Sequence, residues 1–285
     1  MNVILLGIKA ITSLHVGAGR GLGHIDLPVA REKTTNYPYL PGSALKGVLR
    51  DKYEGAPNFV VAFGDKKGDG SDETTAGSLI FADARLLALP IRSFFGTFAA
   101  VSCPAIIKRL YADLVAYRVK VDAPKIPTLK DAQIAVVESS PLAKGGKVYL
   151  EDVDFDFVGN VDNLVRDIAQ RFENFGEAGL VERFALVSDD AFAFLCETGT
   201  EINAHIKINS ETGIVQTGAL WYQETLPPET FLYSFVYCDK VYGGKQDDAQ
   251  KLLNFFCPSN QDDYLQFGGK ASTGLGRCQC RFKEA

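Results

Sequence analysis

Glycines at 17, 19, 21 and 23, at every second position of His15-Val16-Gly17-Ala18-Gly19-Arg20-Gly21-Leu22-Gly23, constrain this chain more than any other feature. They forfeit helix stability and leave a strand without side chains to pack, so the stretch is expected to be a loop whose backbone lies close to something else. His24-Ile25-Asp26-Leu27-Pro28 follows, then Arg31, Glu32 and Lys33, which sets one carboxylate beside the loop with cations near it. Pro41-Gly42-Ser43 reads as a turn and N-cap, and residues 43–54 as a helix. The free amides and dipole of a helix start favour an anion, and Lys46 and Arg50 share a face at i, i+4.

A net charge of −5 and a pI near 5.3 argue against a protein that coats nucleic acid through bulk positive charge. Any contact with RNA or DNA must be local and carried by loop cations. The six cysteines, at 103, 196, 238, 257, 278 and 280, show no paired C-x-x-C spacing, and three histidines are few partners for a metal centre. Buried, reduced thiols are expected. The first residues lack a basic region and a small-residue cleavage site, and no uncharged run approaches the ~20 residues of a membrane span. These features predict a cytoplasmic protein with no membrane contact.

Hydrophobic patterning predicts a strand over 2–14, then the glycine loop and the first helix. Residues 55–77 read as a flexible insertion; the acidic, glycine-rich part from Asp65 fails as a calcium loop because Lys67 holds its third position and no glutamate its twelfth. Ser78 to Leu87 reads as a central strand and Ile91 to Gly96 as a second extended piece. Cys103-Pro104 to Tyr117 reads as a helix with Ile106, Ile107, Leu110 and Leu114 inward. Residues 118–147 sustain no periodicity and read as a loop-rich insertion. Tyr149 to Val158 alternates, with one phase slip, as a strand with an acidic outer face. Helices are expected at 161–173 and 189–197, the second capped by Ser188. Glu201–Asn209 and Gly213–Glu224 flank a glycine-bearing turn and predict a hairpin at 201–224. Phe231–Cys238, a helix at 247–256 and a closing strand pair complete the chain, with the glycine-rich loop 268–277 between the last two strands. The order matches the split βαβ plan, an α+β class with helices on one face of an antiparallel sheet. Sheets of that kind also frame common RNA-binding modules.

Five ordered segments narrow the reading. His15-Val16-Gly17-x-Gly19, I-D-L-P-x-x-R-E from Ile25, Y-P-Y-L-P-G-S-A-L-K-G-V-L-R from Tyr37, the middle segments Leu79–Arg92 and Ile206–Thr225 with Leu226-Pro227-Pro228, and F-G-G-K-A-S-T-G-L-G-R from Phe267 resemble the RAMP superfamily of CRISPR effector proteins. The similarity is to the repeated backbone subunit of the type III-B, Cmr-type complex, and it runs along nearly the whole chain as one domain, 1–285. The resemblance implies a modified RRM-like, ferredoxin-like palm with inserted finger and thumb regions, stacked head to tail along a CRISPR guide RNA with other subunits of the complex. It implies cleavage of complementary target RNA at regular intervals, one site per copy, in antiviral defence. A thumb hairpin would flip a base pair out at each point; the 201–224 hairpin is the candidate, and the 118–147 insertion competes with it. In the family, cleavage depends on an aspartate in the loop after the first strand and on a divalent metal, Mg2+ or Mn2+. Asp26 stands at that position.

RNA cleavage at a flipped nucleotide needs the 2′-hydroxyl in line with its own phosphate, and a group that accepts a proton or holds a metal on the phosphate. A single carboxylate is a poor metal site, so Asp26 is expected to share an ion with RNA phosphates and water. His15 and His24 are proton carriers by type; His15 also reads as a loop cap and His24 as a surface residue. Glu224 is a weaker second catalytic candidate. RNA contacts are expected at Gly17, Gly19, Arg20, Arg31, Lys46 and Arg50, and at Gly268, Gly269, Lys270, Gly274, Gly276 and Arg277, whose bare amides and cations suit phosphates. Lys33 joins Arg31 in steering the target strand or pairing with Glu32. Trp221, Tyr222, Phe94 and Phe95 read as core. Two other readings stay open: a non-catalytic scaffold of the same complex, and an unrelated phosphate-binding enzyme, which the absence of a P-loop or strand-linked G-x-G-x-x-G disfavours.

Overall fold

The run Val3-Ile4-Leu5-Leu6 does not alternate because its strand is covered on both faces. In the computed structural model, which describes residues 2–19, 21, 23–64, 76–172, 180–242 and 249–284, β1 spans Asn2–Ala10. Ile4, Leu6 and Ile8 enter one hydrophobic core while Val3 and Leu5 enter another. A strand buried on both sides loses the polar half of its pattern, as buried sheets generally do.

Fourteen strands occur among the described residues. They are β1, β2 (Tyr39–Leu40), β3 (Ile80–Phe81), β4 (Ala84–Arg92), β5 (Phe98–Ser102), β6 (Gln133–Val136), β7 (Lys147–Leu150), β8 (Val153–Asn160), β9 (Phe184–Val187), β10 (Glu201–Ile208), β11 (Val215–Thr225), β12 (Phe231–Cys238), β13 (Asp262–Gln266) and β14 (Arg277–Glu284). The helices are α1 (Gly42–Lys52), α2 (Phe59–Phe63), α3 (Pro104–Ala116), α4 (Asp162–Arg171), α5 (Asp189–Thr198) and α6 (Ala249–Phe256).

The palm is the antiparallel run β14-β1-β12-β4, with α1 following β1 and α6 following β12. In chain order these four strands are the fourth, first, third and second of a β-α-β-β-α-β unit, the ferredoxin-like arrangement expected from the sequence. Leu45 and Leu49 of α1 and Leu253 and Phe256 of α6 pack on the Ile4–Leu6–Ile8 face. The expectation of helices on one face alone is corrected: Ile106, Ile107, Leu110 and Leu114 of α3 are buried in the core on the other side, against Val3, Leu5, Tyr233 and Phe235.

β4 reaches beyond the palm. Its first half pairs with β12 and its second with β5, which extends the sheet through β9, β6 and β8 to β7. Residues 118–147 are therefore not wholly irregular, because β6 sits in the sheet between β9 and β8. Four residues are too few to show periodicity in a sequence. The phase slip in 149–158 is a turn, with Glu151 at φ 49° between β7 and β8. Leu150 bridges back to Ser93, so the Ile91–Gly96 piece is the end of β4 and a tight turn. That turn leaves Phe94 80% exposed, so it is not core. Of the 55–77 insertion, Phe59–Phe63 form α2, and residues 65–75, including the acidic glycine-rich stretch, lie outside the described residues. All six cysteines are free and buried, and burial pushes the thiols of Cys103 and Cys278 up to about 12.

β10 and β11 form a separate two-stranded sheet. Ile206, Ile208 and Ile214 on this hairpin are each about half exposed or more, so it is anchored at its base and bare along its length. At the base, Glu201 accepts from Ser13 and Thr225; at the tip, the Asn209 carboxamide accepts the Glu211 and Thr212 amides before Gly213 at φ 68°.

Candidate RNA-cleavage site

The glycine loop doubles back on itself. The Ala30 amide donates to the Val16 carbonyl (2.7 Å), the Ala18 amide to Pro28 (3.1 Å) and the Gly21 amide to Asp26 (3.0 Å), so two arms zip together as far as the Gly21–Asp26 pair. Leu27 then runs beside β11: its amide donates to Tyr222 and its carbonyl accepts from Glu224. The Tyr222 amide donates to Asp26 Oδ2 at 2.8 Å. Asp26 is thus exposed but held by the backbone of the hairpin, not carried on a mobile loop.

Asp26 lines a cleft of about 360 Å³ with Gly21, Leu27, Gly218, Ala219, Leu220, Trp221 and Lys270. Three segments far apart in the chain meet there: the loop after β1, the second strand of the hairpin, and the late glycine loop. Lys270 takes a left-handed conformation (φ 67°) and is exposed, with its carbonyl accepting the Thr273 amide. An ammonium and a carboxylate at one small cleft suit a phosphodiester, whose charge one stabilises while the other accepts a proton.

His15 and Glu224 lie beneath this cleft. His15 Nδ1 donates to the Glu224 carbonyl oxygen at 2.7 Å, and the residue is 6% exposed. Gly17 and Gly268 are glycine because of this histidine: a Cβ on Gly17 would stand 2.9 Å from Nε2, and one on Gly268 would collide with the His15 carbonyl oxygen. Glu224 is 3% exposed. One oxygen accepts from Arg31 and Thr200, the other from the Val29 amide. Its buried carboxylate is bonded through both oxygens within the protein, so it holds the loop and the hairpin together.

Arg31 is committed to the same cluster, donating also to the carbonyls of Asn36 and Cys196. It does not pair with Glu32, which instead takes both contacts from Arg109 (2.7 and 2.9 Å). The start of α1 is likewise occupied from within. Ser43 is not its cap; the helix begins at Gly42, whose amide donates to Asp83 Oδ1 at 2.8 Å, so a carboxylate of the chain already fills the place expected for a phosphate. Lys46 is half-buried, and Arg50 lays its guanidinium 5.3 Å from the Phe59 ring centre. Arg277 lies 5.6 Å over Tyr264. Gly276, at φ 81°, lets β14 close on the Phe267 carbonyl, whereas Gly19 (φ 96°) and Gly274 (φ 83°) face open space. Gly269 donates its amide to the His15 carbonyl. Lys33 and His24 are exposed, and Arg20 lies outside the described residues.

Trp221 and Tyr222 were expected in the core and are on the hairpin instead, Tyr222 41% exposed. Trp221 is partly exposed and belongs to neither core cluster, which is legible only once the hairpin is seen to form its own sheet. Among the described residues no group of three or more His, Cys, Asp or Glu could hold a metal ion. Asp26 offers one carboxylate, with one oxygen already bonded, so these residues do not by themselves make a resident metal site.

The relatives share this architecture. A protein of Pyrococcus furiosus described as the CRISPR system Cmr endoribonuclease Cmr4 is 34% identical over 293 residues, covering 100% of this chain and 97% of its own length. A crystal structure of oligomeric Cmr4 from the same organism matches with a TM-score of 0.78 at 27% identity, covering 100% of this chain and 99% of the other. A chain of a type III-B Cmr-beta complex bound to cognate target RNA has the same fold, with a TM-score of 0.77 at 19% identity over 99% of this chain and 97% of the other. The RAMP superfamily model matches residues 7–279, and this chain belongs to the RAMP superfamily.

Proposed function

We propose that this chain is a guide-RNA-binding backbone subunit of a type III-B CRISPR ribonucleoprotein and cleaves complementary target RNA at Asp26. The observation that carries the reading is the placement of the Asp26 carboxylate, pinned by the Tyr222 amide, in a small cleft shared with Lys270. The similarity to a Cmr endoribonuclease along both chains supports it.

In the reaction the target 2′-oxygen attacks the adjoining phosphorus to form a 2′,3′-cyclic phosphate, its proton passes to a base, and the P–O5′ bond breaks as the 5′-oxygen leaves with a proton from water. Asp26, with one oxygen held by the Tyr222 amide, presents the other as the proton acceptor. Lys270 sits at the wall where charge grows on the phosphate. His15 and Glu224 act as positioning residues that tie the loop to β11. Asp26 is the residue of the cleft that would share a magnesium or manganese ion with RNA phosphates and water, and such an ion would supply positive charge at the phosphate. Copies stack head to tail on the guide alongside the other subunits, and the bare β10–β11 hairpin of each reaches into the guide–target duplex as the thumb. No described helix is long and apolar enough to cross a membrane.

The test compares the wild type with Asp26→Asn, each assembled with guide RNA and partner subunits, on end-labelled complementary RNA with magnesium or manganese and then with chelator. Asp26→Asn is expected to lower cleavage at least ~10²-fold, the usual scale for losing a general base, with target affinity unchanged. Equal cutting by both proteins would move the chemistry to another subunit and leave this chain a scaffold.

A further inference from the structure

Trp221 is the one tryptophan in the chain, and it sits on the two-stranded hairpin, in neither hydrophobic core cluster. A large aromatic left outside the core asks for an explanation, because burial is the usual reason to carry one. Trp221 itself is partly exposed, while Leu220 and Tyr222, whose side chains point to the opposite face of β11, are 54% and 41% exposed, so that other face carries no apolar cover. The register of the hairpin sets His205 directly across from Trp221, and the two rings stack at 5.4 Å with planes only 14° apart. The imidazole therefore backs one side of the indole and restrains it. Trp221 also walls the cleft that holds Asp26 and Lys270, and the wall beside it, Gly218 and Ala219, is almost without side chains. Gly218 has φ 75° and open space around it. The result is a flat, restrained aromatic surface in a cleft of about 360 Å³, a size within the ~300–1,000 Å³ of small-ligand sites.

We propose that Trp221, backed by His205, is the stacking platform for the target nucleobase adjoining the reacting phosphate. The inference rests on the reading that target RNA occupies this cleft, and it assigns Trp221 as a positioning residue for that reaction. The chemistry favours a base over other ligands, since a π-face is matched by a π-face while the neighbouring ammonium and carboxylate serve the sugar–phosphate. It also predicts tolerance. Among the described residues, the side chains around the cleft apart from Asp26, Lys270 and the Trp221 indole N–H are apolar or absent, so few side-chain donors and acceptors could read a base edge, and stacking of any of the four bases is expected. In-line attack needs the nucleotide held still, so loss of the platform lowers the rate more than it lowers binding of a long target.

The experiment places 2-aminopurine, or an abasic ribose, next to each cut site of a target RNA and uses the assembled complex. Trp221→Leu keeps bulk and removes the ring; Trp221→Phe keeps a ring. Wild type is expected to quench 2-aminopurine, and so is Asp26→Asn; Trp221→Leu is expected to restore its emission several-fold, and Trp221→Phe to behave nearly as wild type. In single-turnover cleavage, Trp221→Leu and the abasic target are each expected to slow wild type roughly ten- to hundredfold, the scale of one lost base stack, with no further loss when combined. Because quenching does not depend on cutting, it scores the platform even if Asp26→Asn cuts like wild type. Unquenched 2-aminopurine in the wild-type complex, or losses that multiply when combined, overturns the proposal.

Discussion

At the scale of single residues, the site is held by one buried carboxylate bonded through both oxygens. Glu224 accepts from Arg31, Thr200 and the Val29 amide, with its side chain 4% exposed and that of Arg31 16% exposed. Removing its charge leaves Arg31 partly buried without a counter-ion, a change that costs about 3 kcal/mol when a buried pair is broken. Glu224→Gln is expected to lower the thermal midpoint by several degrees and to reduce cleavage through displacement of Asp26. Thermal unfolding beside single-turnover cleavage checks this. A variant as stable as wild type but inactive would make Glu224 a chemical participant instead. The residue types at this site were legible in the sequence; the roles of Arg31 and Glu224 were not, because 193 positions separate the two partners and no local pattern pairs them.

At the scale of elements, the late glycine loop is shaped by what it touches. Gly268 combines φ 72° with a carbonyl where a Cβ would stand, whereas Gly274 has a similar φ and open space. Gly274→Ala is expected to cost about 1 kcal/mol, the left-handed penalty of an L-residue. Gly268→Ala is expected to cost more than about 2 kcal/mol, because His15 must also move. Denaturant titration of both variants separates them, and equal losses would show that φ alone matters. The hairpin gives the opposite expectation. Changing Ile206, Ile208 and Ile214 together to Ser should move stability by no more than about 0.5 kcal/mol per site, since all three face solvent, yet weaken regular target cleavage if the hairpin is the thumb. Unaltered cutting at every site would remove the hairpin from that role. The hairpin, its turn and α3 follow from local rules, so their ranges were readable to within a few residues. The short strand β6 and the Asp83 anchor of α1 were not, since each exists only through a partner remote in sequence.

At the scale of the whole molecule, net charge −5 sets how RNA is held. Among the described residues, the solvent-facing cations at or beside the two glycine loops are Lys33, Lys270 and Arg277, with half-buried Lys46 at the start of α1. With about four phosphate contacts, guide affinity of the isolated chain should fall with salt at a log–log slope of about −3. Filter binding across a salt series measures it; a slope near −8 would mean a larger basic surface formed on binding. In the proposed stack, neighbouring copies would supply the affinity that one copy lacks. The palm itself was determined by the sequence, through the order of its strands and helices and through turn and cap signals that act over a few residues. Only the tertiary structure decided that both faces of β1 are buried, that Arg31 serves Glu224, and that Asp26, Trp221 and Lys270 share one cleft. Those facts depend on contacts between segments hundreds of residues apart, and long-range contacts follow from packing, not from local preference.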